Sequence, residues 1–204
     1  MMKTRPAKRP TMSETSTRTA PLSQRSNPKL GIWIFLSGEV VFFGTLILTY
    51  LLIRLRAPAD FAQAKAHLSV PLIAINTFIL ILSSFMVVQA LESIRAGKSA
   101  ALRNYLIAVM VLGAMFLGGQ AFEWTTLYHD GIWFTSTFGT PFFTITGIHG
   151  THVFIGLIWA SFLQWGIHKK AYTPARHLGV ENFGLYWHFV DIVWIVLFTL
   201  FYLI

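Results

Sequence analysis

Five long apolar runs, separated by short polar segments, dominate the pattern along the chain. They cover residues 31–53, 70–91, 104–125, 139–167 and 183–204. A helix needs about 20 apolar residues to cross about 30 Å of hydrocarbon, and each run reaches that length. None of the runs alternates with a period of two, which argues against a transmembrane barrel. The pattern predicts an all-α integral membrane protein whose residues 30–204 form five transmembrane helices.

The boundaries of several runs carry residues that begin or end helices. Pro71 and Pro141 each stand within a predicted first turn, where the missing N–H of proline costs nothing. Asn182 is a candidate N-cap of the last helix. Gly97 lies in a predicted short turn between the second and third helices. We therefore expect well-defined helix ends near these positions.

Residues 1–29 form a segment of different composition. They are rich in Ser, Thr, Pro and basic residues and contain one acid, Glu14. Such a segment cannot bury enough apolar surface to fold alone, so a disordered basic tail is expected. The same composition fits an organellar transit peptide, although the weak amphipathic periodicity favours a solvated cytoplasmic tail.

Composition agrees with a membrane protein and excludes several other classes. Apolar residues make up 54% of the chain and charged residues 12%, whereas soluble domains are nearer a quarter charged. The net charge of +8 resides in the tail and the short connecting segments, which leaves no basic groove for a nucleic acid. Because the chain has no cysteine, disulfides and thiolate metal sites are excluded.

The distribution of positive charge predicts the orientation of the helices. Residues 1–29, 92–103 and 168–182 fall on one side and together hold thirteen of the sixteen Lys and Arg residues. The other side holds the remaining three, Arg54, Arg56 and Lys65. Because Lys and Arg accumulate in cytoplasmic segments, the N-terminus is expected in the cytoplasm and the C-terminus outside.

Six acids and histidines stand inside the apolar runs: Glu39, Glu123, Asp191, His149, His152 and His188. An ionisable group in hydrocarbon costs at least a few kcal/mol, so these side chains must face other helices or a polar cavity. The tryptophans, unlike these ionisable residues, do not indicate a site. Trp124, Trp133, Trp159, Trp165 and Trp187 stand near predicted boundaries and are interpreted as an ordinary aromatic belt.

An inner layer of polar residues is expected near the cytoplasmic side. At about 1.5 Å of rise per residue, Glu39 and Asp191 lie about 12 Å deep and His188 about 7 Å deep. His188 and Asp191 are three residues apart and share a helix face. They predict either a pair that joins helices or part of a proton-conducting chain. Glu39 has no partner nearby in sequence, and both a structural and a functional role remain open for it.

An outer layer is expected about 22–30 Å deep and contains Gln120, Glu123, His149 and His152. These four side chains are able to form hydrogen bonds with one another across two packed helices. Close approach of the two backbones is allowed by glycines at Gly118, Gly119, Gly147 and Gly150. A metal site is the alternative, because two histidines one turn apart plus a carboxylate form a plausible ligand set. We expect the packing role and no metal.

Several of these residues occur within longer stretches that resemble a known family. The stretches are GIWIFLSGEVVFF at 31–43, GQAFEW at 119–124, GIHGTHV at 147–153 and YWHFVDIVW at 186–194. In combination and in this order they are similar to subunit III of the haem–copper terminal oxidases, over residue 30 to the end. Mitochondrial members have seven helices, and the bacterial five-helix members of quinol and cytochrome c oxidases match this chain better.

The resemblance implies a function for the whole chain. A subunit III of this type carries no haem or copper, packs against catalytic subunit I in a complex that also contains subunit II, and binds phospholipid. It supports proton uptake by a complex that reduces oxygen to water and pumps protons. The haem and copper reside in subunit I, with further copper in subunit II of cytochrome c oxidases. Glu39 matches the buried carboxyl of the family, and a bacterial plasma membrane is implied.

Three other functions are compatible with parts of this pattern. An accessory subunit of a nitric oxide reductase shares the same pattern. A stand-alone proton-coupled transporter would use Glu39 and Asp191, but five uninterrupted spans argue against it because transporters usually show repeats or broken helices. A membrane metalloenzyme would need more ligands than the three histidines inside the apolar runs supply.

Overall fold

The computed structural model describes residues 27–204, and all regular elements within this range are helices. They are α1 (Asn27–Arg56), α2 (Pro58–Lys65), α3 (Val70–Arg95), α4 (Ser99–His129), α5 (Gly139–His168) and α6 (Leu178–Phe198), which continues into a π-helical turn (Thr199–Leu203). Five of them are long and apolar enough to cross a membrane. The predicted fold class is therefore confirmed. Of the tail predicted for residues 1–29, residues 1–26 lie outside the described part of the chain. The last three residues, 27–29, belong to α1.

The helix ends follow the sequence signals in three places and depart from them in one. Pro71 and Pro141 stand in the first turns of α3 and α5 as predicted. Gly97 lies two residues after the end of α3 and has φ 72°, and the Lys98 N–H donates to the Ser93 carbonyl across this turn at 2.8 Å. Asn182 does not cap the last helix, because α6 begins about one turn earlier, at Leu178.

A short helix, α2, follows the first span and was not predicted from the sequence. Pro58 opens it, where proline fits a first helical turn. Its Phe61 and Ala64 side chains are three residues apart and buried. The buried Phe61 ring packs edge-on against Phe138 and Tyr50, so α2 covers one end of the bundle.

The helices pack as a compact group of four with α1 at its edge. α4 packs between α3 and α5, and α6 packs against α3, α5 and α1. Within the described chain, α1 packs mainly against α5 and α6 and also touches the short α2. Large apolar side chains on its outer face, such as Ile34 and Val41, remain exposed. One side of α1 is thus left for lipid or for a partner.

The centre of the bundle is built around Trp187 on α6. Its ring is 1% exposed and lies against Gly113 of α4 and Gly156 of α5, where a Cβ atom would come within 3.0 Å and 2.5 Å of it. Its indole N–H donates to the Ser83 hydroxyl of α3 at 2.9 Å. The interpretation of Trp187 as a belt residue is wrong. Trp165, by contrast, is 60% exposed.

Candidate functional site

The structure brings Glu39 of α1 into contact with His152 of α5. The carboxyl Oε2 of Glu39 lies 3.2 Å from Nε2 of His152, which is an ion-pair distance. The two side chains are 19% and 14% exposed, respectively, so both are largely shielded yet reach the surface of the bundle. The edge of the Phe43 ring packs on the imidazole. An acid and a base therefore meet inside the membrane-spanning region.

The contact of the other ring nitrogen of His152 shows which nitrogen carries a hydrogen. Nδ1 lies 2.9 Å from the backbone carbonyl of Ile148, and a carbonyl oxygen only accepts, so Nδ1 carries a hydrogen and donates. Nε2 is then the ring nitrogen that faces Glu39. One proton placed between Nε2 and the carboxyl would leave the two groups without net charge, which is the arrangement that costs least in hydrocarbon.

This contact corrects the division into an inner layer with Glu39 and an outer layer with His152. Glu39 is twelve residues from the start of α1 at Asn27, or about 18 Å, because α1 begins earlier than predicted. His152 is sixteen residues from the end of α5 at His168, or about 24 Å. An ordinary helix tilt removes the remaining difference in depth.

His188 and Asp191, both on α6, meet through a third residue on α3. His188 Nδ1 lies 2.6 Å from the Ser84 hydroxyl, and the same hydroxyl interacts with the Asp191 carboxyl. A hydroxyl has one hydrogen, so it accepts from His188 N–H when it donates to Asp191. The sequence identified the two ionisable residues, but nothing in it indicated Ser84. Asp191 Oδ1 has no hydrogen-bond partner within the described part of the chain.

The predicted outer layer separates into different contacts. Gln120 Nε2 lies 3.5 Å from Glu123 Oε2 on the same helix, α4. The hydroxyl of Tyr202 donates to that carboxyl oxygen at 2.5 Å. Tyr202 belongs to the π-helical turn after α6 and is 2% exposed. The sequence analysis did not identify Tyr202 as a site residue. Its position near the end of the last apolar run nevertheless places it at about the same depth in the membrane as Glu123.

His149 joins neither of these groups. It is 1% exposed, its ring stacks on Trp194 at 4.9 Å, and the edge of Phe116 approaches it. Neither ring nitrogen has a hydrogen-bond partner in residues 27–204. Across the same residues no group of three His, Asp or Glu side chains is arranged to hold a metal ion. The alternative metal site in the outer layer therefore finds no geometric support.

The glycines named from the sequence have unequal roles in this packing. A Cβ at Gly119 would meet the Asn76 side chain at 2.7 Å, and one at Gly147 would meet Trp124 at 3.0 Å. A Cβ at Gly150 would make only an ordinary contact, and one at Gly118 would meet nothing. Close approach at the predicted outer layer thus depends on two of the four positions.

Comparisons with known proteins agree with this architecture. Residues 14–204 match the family model described as cytochrome c oxidase subunit III. The chain is 37% identical to quinol oxidase subunit 3 of Bacillus subtilis (strain 168), over 85% of each chain. It is 38% identical to cytochrome c oxidase subunit 3 of Thermostichus vulcanus, over 86% of each chain. With five spanning helices and bacterial relatives, the protein is a multi-pass bacterial membrane protein, and it belongs to the cytochrome c oxidase subunit III family.

Proposed function

We propose that this chain is the non-redox subunit III of a proton-pumping haem–copper terminal oxidase, which reduces oxygen to water. In this proposal it packs on catalytic subunit I, in a complex that also contains subunit II. The haem and copper belong to those partners. The chain stabilises subunit I, binds phospholipid and supports proton uptake. Its relatives bear the names of quinol and cytochrome c oxidase subunits, which supports the assignment to an oxidase complex.

The observation that carries the proposal is the contact between Glu39 and His152. A carboxyl and an imidazole 3.2 Å apart share one proton without creating net charge in the membrane. Groups with this property are suited to holding a proton and passing it on. The carboxyl is also 19% exposed on the bundle surface, where a partner subunit or water is able to reach it.

The position of α1 supports docking to a partner. This helix has few neighbours within the chain, and its outer face exposes Ile34, Val41 and Leu55 at 66%, 70% and 78%. An apolar face of this kind packs equally well against lipid and against another transmembrane helix. Glu39 stands on the same helix, so a partner that covers α1 comes close to the proposed proton site.

Purification tests the assembly directly. A tagged chain isolated from its own membrane in mild detergent is expected to retain larger haem-bearing subunits. The complex should show a reduced-minus-oxidised haem spectrum, and the chain separated from it should show none. Isolation of the chain without any haem-bearing partner would contradict the proposal.

The Glu39→Gln variant tests the role of the carboxyl. Glutamine keeps the size and polarity but no longer exchanges a proton, so we expect an intact complex with slower proton uptake and a severalfold shorter turnover lifetime. Oxygen consumption over many turnovers and its pH dependence measure both effects. Glu92→Gln is the matched control, because Glu92 is exposed, lies at a helix end and, among residues 27–204, forms an ion pair only with Arg95. Loss of the complex in Glu39→Gln alone would show that the residue is structural.

The nitric oxide reductase alternative is not favoured, since the relatives from Bacillus subtilis and Thermostichus vulcanus carry oxidase names. The stand-alone transporter is not favoured either. The five spanning helices of the described chain, α1 and α3 to α6, run without interruption, whereas coupling sites of transporters usually lie at broken helices.

A further inference from the structure

Two cavities adjoin each other along the C-terminal half of α4. One, of about 330 Å³, lies between α4 and α5, and the other, of about 570 Å³, lies against the last turns of α4 and the loop that follows. Ala121 and Trp124 line both cavities, and together the two are called the α4–α5 groove. The groove follows α4 for about 18 Å, from Leu117 to His129. This length suits a long amphiphile that lies in the bilayer.

The lining of the α4–α5 groove carries no formal charge. Among residues 27–204, no Lys, Arg, Asp or Glu contributes to either cavity. The threonine hydroxyls of the lining are already used, because Thr125, Thr146 and Thr151 each donate to a carbonyl of their own helix. A phosphate would therefore find no cation in the groove. A neutral occupant is favoured.

Two polar atoms of the lining residues have no partner. Gln120 is 4% exposed, and its Oε1 has no hydrogen-bond partner in the described part of the chain. The indole N–H of Trp124 is buried and has none there either. The first atom is an acceptor and the second a donor, and a buried polar atom without a partner retains its desolvation cost. A ligand hydroxyl satisfies both atoms, because it donates one hydrogen and accepts another.

The wider end of the α4–α5 groove is aromatic. The rings of Tyr128 and Trp133 meet edge-on at 5.0 Å, and the imidazole of His129 lies 5.9 Å from the Tyr128 ring. Tyr128 is 57% exposed and Trp133 is 37% exposed, so both rings are open to a ligand. A planar aromatic ring packs well against such side chains. The imidazole of His129 is able to donate or accept a hydrogen bond with a second oxygen of that ring.

We propose that the α4–α5 groove binds a lipid-soluble hydroquinone, the reduced form of a membrane quinone. One ring hydroxyl accepts from the Trp124 N–H and donates to Oε1 of Gln120. The ring packs beside Trp133, and the apolar tail follows the groove past Leu117. The oxidised quinone has carbonyl oxygens, which only accept, so it leaves Gln120 without a donor and binds more weakly.

This proposal goes beyond the proposed function. It assigns a ligand to a surface that does not include Glu39 or His152, and it requires no redox centre in the chain. The binding is a recognition step in which no bond is made or broken.

Photolabelling tests the site in the complex as it purifies, reconstituted in nanodiscs of phosphatidylcholine. The probe is a short-chain ubiquinol with a diazirine in its tail, used without oxygen, and the corresponding ubiquinone is the comparison. Ala121→Trp blocks the junction of the two cavities from an exposed position. Ala114→Trp is the matched control, because Ala114 is exposed on the same helix and lines neither cavity.

We expect the quinol probe to label peptides of α4 and α5 that line the groove, and to bind severalfold more tightly than the quinone. Ala121→Trp should weaken this binding about tenfold or more, whereas Ala114→Trp should stay within about threefold of the wild type. Trp124→Phe keeps an aromatic ring but loses the N–H, and a severalfold weaker binding is expected from the loss of one hydrogen bond.

Equal effects of the two Ala→Trp variants, or equal binding of quinol and quinone, would overturn the proposal. Displacement of the probe by added phospholipid at equal concentration would overturn it as well, since the groove would then hold an acyl chain. Co-purification of haem is scored separately on the same samples. Failure of the oxidase assignment is therefore distinguishable from failure of this site.

Discussion

Tyr202 and Glu123 form a buried polar contact between two helical segments of the described chain. The carboxyl is 2% exposed, and the tyrosine hydroxyl is its nearest polar neighbour, at 2.5 Å. Gln120 adds a weaker contact at 3.5 Å on the same oxygen. The other carboxyl oxygen, Oε1, has no hydrogen-bond partner among the described residues. The hydrogen bond from the Tyr202 hydroxyl therefore offsets most of the free-energy cost of burying the Glu123 carboxyl.

The Tyr202→Phe variant removes that hydroxyl and leaves the carboxyl in place. We expect a loss of about 1–3 kcal/mol in stability, because a buried polar group deprived of its partner retains its full desolvation cost. A thermal melt of the purified protein in detergent should show a midpoint lowered by several degrees. Tyr128→Phe is the control, since Tyr128 is 57% exposed and its hydroxyl has no hydrogen bond in the described chain. Identical melting of both variants would mean that the Tyr202 contact contributes nothing.

At the scale of single residues, the sequence identified the unusual side chains but not their partners. Glu39 and His152 were each recognisable because an ionisable residue inside an apolar run is costly wherever it points. Their contact depends on which faces of α1 and α5 meet, and two apolar helices with similar surfaces carry little information on that rotation. Ser84 was missed for a related reason, because a serine in an apolar helix is common and becomes informative only beside His188.

At the scale of helices, Trp187 holds α4, α5 and α6 at fixed distances. The backbone of α5 approaches this ring so closely at Gly156 that an added Cβ would lie 2.5 Å from it. The ring is unable to retreat, because Gly113 of α4 confines it on another side and its N–H is bonded to Ser83 of α3. The packing is therefore sensitive to a single methyl group.

We expect the Gly156→Ala variant to destabilise the bundle by about 1–3 kcal/mol, the usual cost of overpacking a core. Gly44→Ala is the matched control on α1, where an added Cβ meets nothing within 4 Å. Because alanine is the better helix former, the control should be neutral or slightly stabilising. Thermal melts and the yield of folded protein in detergent measure the difference. Equal stability of the two variants would show that the close contact with Trp187 relaxes freely.

The helices themselves were predictable because the bilayer imposes a minimum apolar length on each of them. Their ends were less so. α1 and α6 extend about a turn beyond their apolar runs, at Asn27 and Leu178, since a helix continues into the polar boundary region as long as its residues permit. α2 was not predicted because it has only eight residues and two buried side chains. A pattern this short cannot be distinguished from that of a loop.

At the scale of the whole molecule, the two ends of the bundle differ in both charge and structure. The loops before α4 and α6 are basic, and the loop before α6 borders a cavity of about 470 Å³. The opposite end is covered by α2 and the loop before α5, where Asp60 and Asp130 border another cavity of about 380 Å³. Arg54 is turned inward there and donates to the carbonyl of Ile204 at 2.6 Å. The free positive charge of the described chain is thus concentrated at one end.

The orientation that follows from this asymmetry is testable by labelling, and the absence of cysteine makes the experiment simple because one introduced thiol is unique. Thr135 and Ala171 are both exposed and lie in loops at opposite ends of the bundle. In intact cells a membrane-impermeant maleimide should label Thr135→Cys and should label Ala171→Cys only after permeabilisation, since basic loops remain in the cytoplasm. The reverse pattern would place the N-terminus outside.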